Sequence, residues 1–206
     1  MRRPRAGFTL VEMLVVLIII SVLLAMVAGG VVSAIKTAKI KRTQTLLITL
    51  GAAADRYQTN FLAYPPTDLR LVFRKTTLPN TTNLGIESLV ACLSTQRKGG
   101  PFYQPPNEMS AYCNADGDSI ASVPTKPYYK TGALLEYADA WGNPLVYVNS
   151  KDYGMAAQVV LAGGGKATWS VPVLSRTRTF PNPHTLVLIS AGPDGALGTA
   201  DDVKNY

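Results

Sequence analysis

Four groups of side chains in this sequence have the types and spacing to do chemistry. The first is a single carboxylate, Glu12, just inside an apolar run from Met13 to Val32 that carries no charge. An ionised carboxylate in hydrocarbon costs several kcal/mol unless it is paired or protonated, so Glu12 demands a partner and reads as functional. The second is the stretch from Ser190 to Val203, which gathers Asp194, Asp201 and Asp202 in a glycine-rich turn. Calcium takes six to eight oxygens from carboxylates and backbone carbonyls, and glycines let a short loop wrap the ion. Without a cation, three close carboxylates repel one another. On composition alone, an exposed acidic tail and a metal loop are equally good readings. The third group is the cysteine pair, Cys92 and Cys113. The fourth is Asn114-Ala115-Asp116-Gly117-Asp118, whose alternating oxygen side chains look like the start of a calcium loop. The glycine and glutamate that an EF-hand wants at its sixth and twelfth positions are Ser119 and Thr125 here, so a polar turn is the better reading.

Other chemistries find little support. The one histidine, His184, lies in a Pro-Asn-Pro-His turn, and no nucleophile motif accompanies it. Gly163-Gly164-Gly165-Lys166 lacks the earlier glycine of a phosphate loop, where Val160 stands, and has Ala167 in place of Ser or Thr. No Cys/His spacing suits zinc. The formal net charge is +7, but no Lys/Arg run in the soluble part builds a nucleic-acid groove.

The elements that must position these groups follow from periodicity. The 206 residues are 47% hydrophobic and 16% charged, enough for one modest folded domain besides an N-terminal helix. Beyond the apolar run, Ile35, Leu46, Leu47, Leu50, Ala53, Ala54, Tyr57 and Phe61 keep mostly three- and four-residue spacings, and no proline appears until Pro65. This predicts one helix from Phe8 to about Asn60, roughly 80 Å long. Its first part is long enough to cross a membrane. Gly29-Gly30 near the membrane exit either weakens the helix or allows close helix packing, and Lys36, Lys39, Lys41 and Arg42 read as a snorkelling turn at the lipid interface. Tyr64-Pro65-Pro66-Thr67 ends the helix. Thr82-Asn83 offers an N-cap for a second helix from about Leu84 to Gln96, stopped by Gly99-Gly100. Pro101 to about Glu136 has no clear period and reads as loop. From Asp139 to Tyr147 a turn carrying Trp141, read as a core anchor, leads into a strand. Strands are predicted near Leu145–Val148, Gln158–Leu161, Val171–Leu174 and Thr185–Ser190, in an antiparallel sheet, which makes the fold class α+β.

Several of these stretches resemble the type IV pilin-like family. Arg2, Arg3 and Arg5, then Gly7-Phe8-Thr9-Leu10-Val11-Glu12 and the apolar run resemble the class III signal of type IV pilins and type II secretion pseudopilins. Gly85-Ile86-Glu87-Ser88-Leu89 fits the short-helix pattern of major pseudopilins. Asp139-Ala140-Trp141-Gly142-Asn143-Pro144-Leu145-Val146-Tyr147 resembles their D-P-W-G-N-P-Y-x-Y signature, with Ala140 in place of the first proline. The last loop resembles their S-x-G-x-D-G…D-[DA]-[IV] ending. A secretory signal peptide needs a shorter apolar core, and a plain anchor leaves Glu12 unexplained.

The resemblance implies a structural subunit of a type II secretion pseudopilus, not an enzyme. Prepilin peptidase would remove residues 1–7 by cutting between Gly7 and Phe8, and Phe8 would be methylated. Loss of the three leader arginines would leave a net charge of +4. Glu12 would guide assembly, its partner being the free amine of Phe8 on a neighbouring subunit. The lollipop would comprise a helix over 8–60, membrane-spanning over 13–32, packed on a small antiparallel sheet in a globular domain over 61–206. That domain would hold an insertion over about 101–136 and a calcium loop over 190–203. The calcium ligands would be the side chains of Asp194, Asp201 and Asp202 and the carbonyls of Ala191 and Thr199. Implied partners are further copies in a helical filament, prepilin peptidase, other pseudopilins, the inner-membrane assembly platform and the membrane, with no nucleic acid. The leader would be cytoplasmic and the domain periplasmic. In that compartment Cys92 and Cys113 can form a disulfide, whose loop of about twenty residues would contribute ~3 kcal/mol. Alternatives are a type IV pilus subunit for adhesion or DNA uptake, and a membrane-anchored periplasmic binding domain that never polymerises.

Overall fold

The computed structural model describes residues 7–74, 77–120 and 132–206. The leader arginines Arg2, Arg3 and Arg5, position Thr125 and part of the expected insertion lie outside them. The chain divides into two compact units, Met1–Lys39 and Ile40–Tyr206.

The first unit is the start of helix α1, Leu10–Phe61, which runs unbroken through Gly29-Gly30. It is long and apolar enough to cross a membrane, with a mean hydropathy of 3.0 in its most apolar window. Leu14, Ile18, Leu24, Val32 and Ile35 are all exposed. Ser21 and Thr37 return their hydroxyls to the carbonyls of Leu17 and Ser33, so neither adds an unpaired polar group to this surface.

Among the described residues, the second unit holds the rest of α1, three short α-helices and three small antiparallel sheets. Helix α2 is Leu69–Phe73, α3 Leu84–Leu93 and α4 Glu108–Ala111. Strands β1, Tyr112–Cys113, and β2, Glu136–Tyr137, pair with each other. Strands β3, Val146–Asn149, β6, Leu186–Ser190, and β7, Val203–Lys204, form the central sheet in the order β3-β6-β7. Strands β4, Ala157–Val160, and β5, Lys166–Trp169, make a hairpin. The fold is α+β, as expected.

The central sheet is buried on both faces. On one side Leu145, Tyr147, Leu186 and Leu188 pack with Leu47, Leu50, Ala53 and Ala54 of α1 and with Ile86, Leu89 and Leu93 of α3. On the other side Val146, Val148, Val187 and Ile189 pack with Val159 and Trp169 of the hairpin and with Leu161 and Val171. The Pro65–Thr67 corner after α1 is tied to β3: the Tyr147 hydroxyl donates to the Pro65 carbonyl at 2.6 Å, and the Asn149 amide donates to Thr67 Oγ1 at 2.9 Å.

Five expectations change. Val171–Leu174 is not a strand; Lys166–Trp169 is, because Pro172 has no N–H to donate whereas the glycines at 163–165 let the chain fold straight back on Ala157–Val160. Helix α3 stops at Leu93, three residues early. Asn83 precedes α3 but makes no side-chain cap; its side chain donates to Glu136 Oε1 and to the Val160 carbonyl and accepts the Val160 amide, so it ties β2 to β4. Trp141 is only half-buried, and the tryptophan in the core is Trp169. The insertion contributes α4, β1 and the buried Phe102 and Leu134 rather than loop alone.

The disulfide is also not formed: Cys92 and Cys113 are both free thiols. Cys92 lies on the buried face of α3, hydrogen-bonded with Tyr57 and Ser88, and burial raises its thiol to about 11. Cys113 of β1 is hydrogen-bonded with Glu136, which stands opposite it on β2, and burial together with nearby carboxylates raises it further.

One close approach sets the fit of α3 on β3. A Cβ on Gly85 would lie 2.3 Å from the Tyr147 carbonyl oxygen, whereas one on Gly51 of α1 meets nothing within 4 Å. Gly85→Ala should therefore destabilise the full-length chain by about 1–3 kcal/mol, while Gly51→Ala should stabilise it by up to ~1 kcal/mol. Thermal unfolding of both variants in detergent checks the pair; equal melting points would remove this packing constraint.

Candidate functional site

The helix start is the first candidate. Thr9 and Glu12 form a reciprocal capping box at the head of α1. Glu12 Oε2 accepts both the Thr9 amide and the Thr9 hydroxyl at 2.8 Å, and the Glu12 amide donates to Thr9 Oγ1 at 3.3 Å. The T-x-x-E spacing is the sequence signature of this cap, and it passed unread above because Glu12 was weighed only as a charge in lipid. Gly7 and Phe8, where the cut is expected, are exposed, Phe8 by 76%.

The C-terminal loop is the second candidate. It leaves β6 at Ser190 and closes on itself through its own carboxylates. Asp201 Oδ2 accepts the Asp194 amide at 3.2 Å and Asp201 Oδ1 the Thr199 hydroxyl at 2.6 Å. Asp194 Oδ1 accepts the Ala196 amide at 2.8 Å, and Asp202 Oδ2 the Gly198 amide at 3.0 Å. The Thr199 hydroxyl holds Asp201 below its usual range. Burial pushes Asp202 up, against Lys204 at 3.5 Å. Gly192 has φ +67°, and a Cβ there would lie 2.3 Å from the Asp201 carbonyl, so only glycine lets the two ends of the loop meet. A metal fits this donor set in one respect: Asp202 Oδ1 is buried with no hydrogen-bond partner. The carboxylates of Asp194, Asp201 and Asp202 are nevertheless not drawn into a single cage.

Asp139 supports the loop from below, and the sequence reading missed it by fixing on Trp141. Its Oδ1 accepts the amides of Trp141 at 2.8 Å and Asn143 at 2.9 Å, and its Oδ2 accepts the Ser190 hydroxyl at 2.7 Å. Ser190 Oγ in turn accepts the Gly192 amide at 3.1 Å. The aspartate of the D-A-W-G-N turn thus connects that turn to the root of the acidic loop. Its burial raises its pKa, and the bonds from Ser190, Trp141 and Asn143 oppose the rise.

A third group was dismissed above as a polar turn. Among the described residues, the set of three or more His, Cys, Asp or Glu side chains whose ligand atoms all lie within 4.8 Å of one another is Glu87, Asp116 and Asp118. Glu87 comes from α3, and the two aspartates come from the turn after β1. This acidic cluster could bind a metal.

Comparison with known proteins places the chain. A profile described as the prokaryotic N-terminal methylation motif matches residues 2–28. The chain is 28% identical over 200 residues to type II secretion system core protein G of Escherichia coli (strain K12), which covers 97% of this chain and 90% of that protein. It is 32% identical over 165 residues to type II secretion system core protein G of Pseudomonas aeruginosa, covering 80% of this chain and 88% of that one. The chain belongs to the core protein G family. It is a major-pseudopilin homologue, a structural subunit and not an enzyme. No solved structure matches it significantly. An N-terminal apolar helix in a core protein G homologue fits membrane anchoring with a periplasmic domain.

Because Asp139 gathers donors from the turn and from Ser190, Asp139→Ala should cost about 2–4 kcal/mol of stability. Ser190→Ala, which removes one of those donors, should cost about 1 kcal/mol. Thermal unfolding of the full-length chain measures both; a smaller loss for Asp139→Ala than for Ser190→Ala would remove its connecting role.

Proposed function

We propose that this core protein G homologue is processed between Gly7 and Phe8, methylated on Phe8, and assembled through its N-terminal helix into a periplasmic pseudopilus that drives protein export across the outer membrane. The observation that carries this reading is the exposed apolar surface that the described residues of α1 present over 10–25 and 30–35. Such a surface needs lipid or other helices around it. Before assembly the segment over 13–32 would sit in the inner membrane, with the leader in the cytoplasm and the domain in the periplasm. Partners would be prepilin peptidase, the assembly platform, other pseudopilins and further copies of this chain.

Glu12 has two jobs in this scheme. Within one chain it completes the cap; between chains its charge would meet the amine of a neighbour's Phe8, which exists only after cleavage. Calcium would bind the C-terminal loop through Asp194, Asp201 and Asp202 with the carbonyls of Ala191 and Thr199. There it would neutralise carboxylates that now rest on backbone amides, and pin the loop to the sheet edge.

The two roles of Glu12 separate by substitution. Glu12→Gln keeps an oxygen to accept the Thr9 amide but loses the charge. With prepilin peptidase co-expressed, mass spectrometry should show removal of residues 1–7 and methylated Phe8 in both parent and variant, and Gly7→Val should block cleavage. Sheared filaments, scored by electron microscopy, should form from the parent and fall at least tenfold for Glu12→Gln. Filaments at parental yield would leave only the capping role. An uncleaved parent would favour a plain anchored domain.

A further inference from the structure

We propose that Glu87, Asp116 and Asp118 form a second cation site, distinct from the C-terminal loop, that takes a hard divalent cation and clamps the insertion onto helix α3. The spacing is that of one ion's shell. Oxygen ligands at 2.3–2.6 Å from calcium can lie at most about 5 Å apart, and one ligand atom from each of these residues lies within 4.8 Å of the other two. The three groups are all carboxylates, which selects a hard cation over zinc or copper.

The independent sign of a missing ligand is Asp118. It is only 6% exposed, and both of its carboxylate oxygens are buried with no hydrogen-bond partner. Buried carboxylates without partners are rare, because the desolvation cost is not recovered. Asp116 has the same defect on one oxygen: Oδ2 accepts the Asn80 amide and the Thr82 hydroxyl, and Oδ1 is buried and unpartnered. The orphan oxygens belong to residues that the fold holds firmly. Asn114 fixes the turn by accepting the Asp118 amide and donating to the Asp118 carbonyl. The Leu134 amide also donates to the Asp118 carbonyl, and Ile120 donates to Gly132, so the arm carrying Asp118 is anchored on both sides.

A fourth carboxylate, Glu136 of β2, stands just outside the trio. It is oriented by the Asn83 side chain and the Ala115 amide, leaving it to support the site electrostatically. Burial and mutual repulsion push Glu87 up to about 10 and Asp118 to about 7. A divalent ion would satisfy the buried oxygens of Asp116 and Asp118 that no protein donor reaches. The ion would tie the turn after β1 to α3, and so tie the insertion to the core.

The test uses the full-length chain in detergent, stripped with chelator. Equilibrium dialysis against Ca2+, and separately Mn2+, counts bound ions in a background carrying Asp194→Asn, Asp201→Asn and Asp202→Asn, which silences the C-terminal loop. One ion per chain should remain in that background, and adding Asp118→Asn should remove it. Glu87→Gln should weaken it at least tenfold. In chelator, Asp118→Asn should melt no lower than its parent, since it removes an unsatisfied buried charge. The metal-dependent rise of about 5 °C or more at hundredfold saturation should vanish. No bound Ca2+ or Mn2+ in the silenced background, or an unchanged count after Asp118→Asn, would overturn the site. A parent that binds one ion, kept by the silenced background and lost with Asp118→Asn, would support this site and remove calcium from the C-terminal loop.

Discussion

Val146, Val148, Val187 and Ile189 point to one side of the β3–β6 pair, and Leu145, Tyr147, Leu186 and Leu188 to the other, so neither face can be left in water. Each such side chain is worth roughly 1.5–3 kcal/mol on burial. Two separate covers follow from this. The stripe Leu47-Leu50-Ala53-Ala54 on α1, with α3, closes the first face, and the β4–β5 hairpin with Trp169 closes the second. The strands themselves are only four and five residues long, so the layers, rather than the hydrogen-bond ladder, hold the unit together. The close approach at Gly85 exists because α3 must lie flat against β3 for that first cover to seal.

Within this frame, carboxylates serve as connectors wherever the chain turns. Glu12 fastens the first turn of α1, where a negative charge also complements the exposed amides of the helix start. Asp139 joins the D-A-W-G-N turn to Ser190, and Asp194, Asp201 and Asp202 fold the last loop by accepting its own amides. These groups are largely satisfied. Asp118, one oxygen of Asp116 and one oxygen of Asp202 are not; the first two belong to the acidic cluster with Glu87, the last to the C-terminal loop. The contrast separates acids that only shape backbone from acids that also keep a buried oxygen without a hydrogen-bond partner.

The capping box changes what Glu12 demands. A lone carboxylate in lipid asks for a partner on another chain, and that need alone seemed to set this segment apart from an anchor. The structure meets much of it within the same helix, through Thr9. Glu12 therefore costs less in the unassembled chain than its isolated position implies, and in the proposed filament a neighbour's amine would add to an already bonded carboxylate.

By itself the sequence determined what is local. The length and polarity of the first run, the period of Leu46 to Phe61 and the stop at Pro65 were sufficient for α1, to within two residues at its start and one at its end. The G-F-T-L-V-E and D-A-W-G-N-P stretches were sufficient for the family, because backbone propensity and short motifs act over a few residues. Tertiary structure decided whatever needed two distant segments to meet. Asn83 can cap a helix or bridge strands, and the approach of β2 and β4 chose the bridge. Either tryptophan could have filled the core, and the hairpin put Trp169 there. Val171–Leu174 has strand-forming residues but a proline that cannot donate, so pairing passed to Lys166–Trp169. Glu87 became a neighbour of Asp116 and Asp118, some thirty residues away, only because α3 and the β1–β2 pair share one core. No periodicity records such a meeting, since the energy that enforces it belongs to packed surfaces and not to the chain's local preferences.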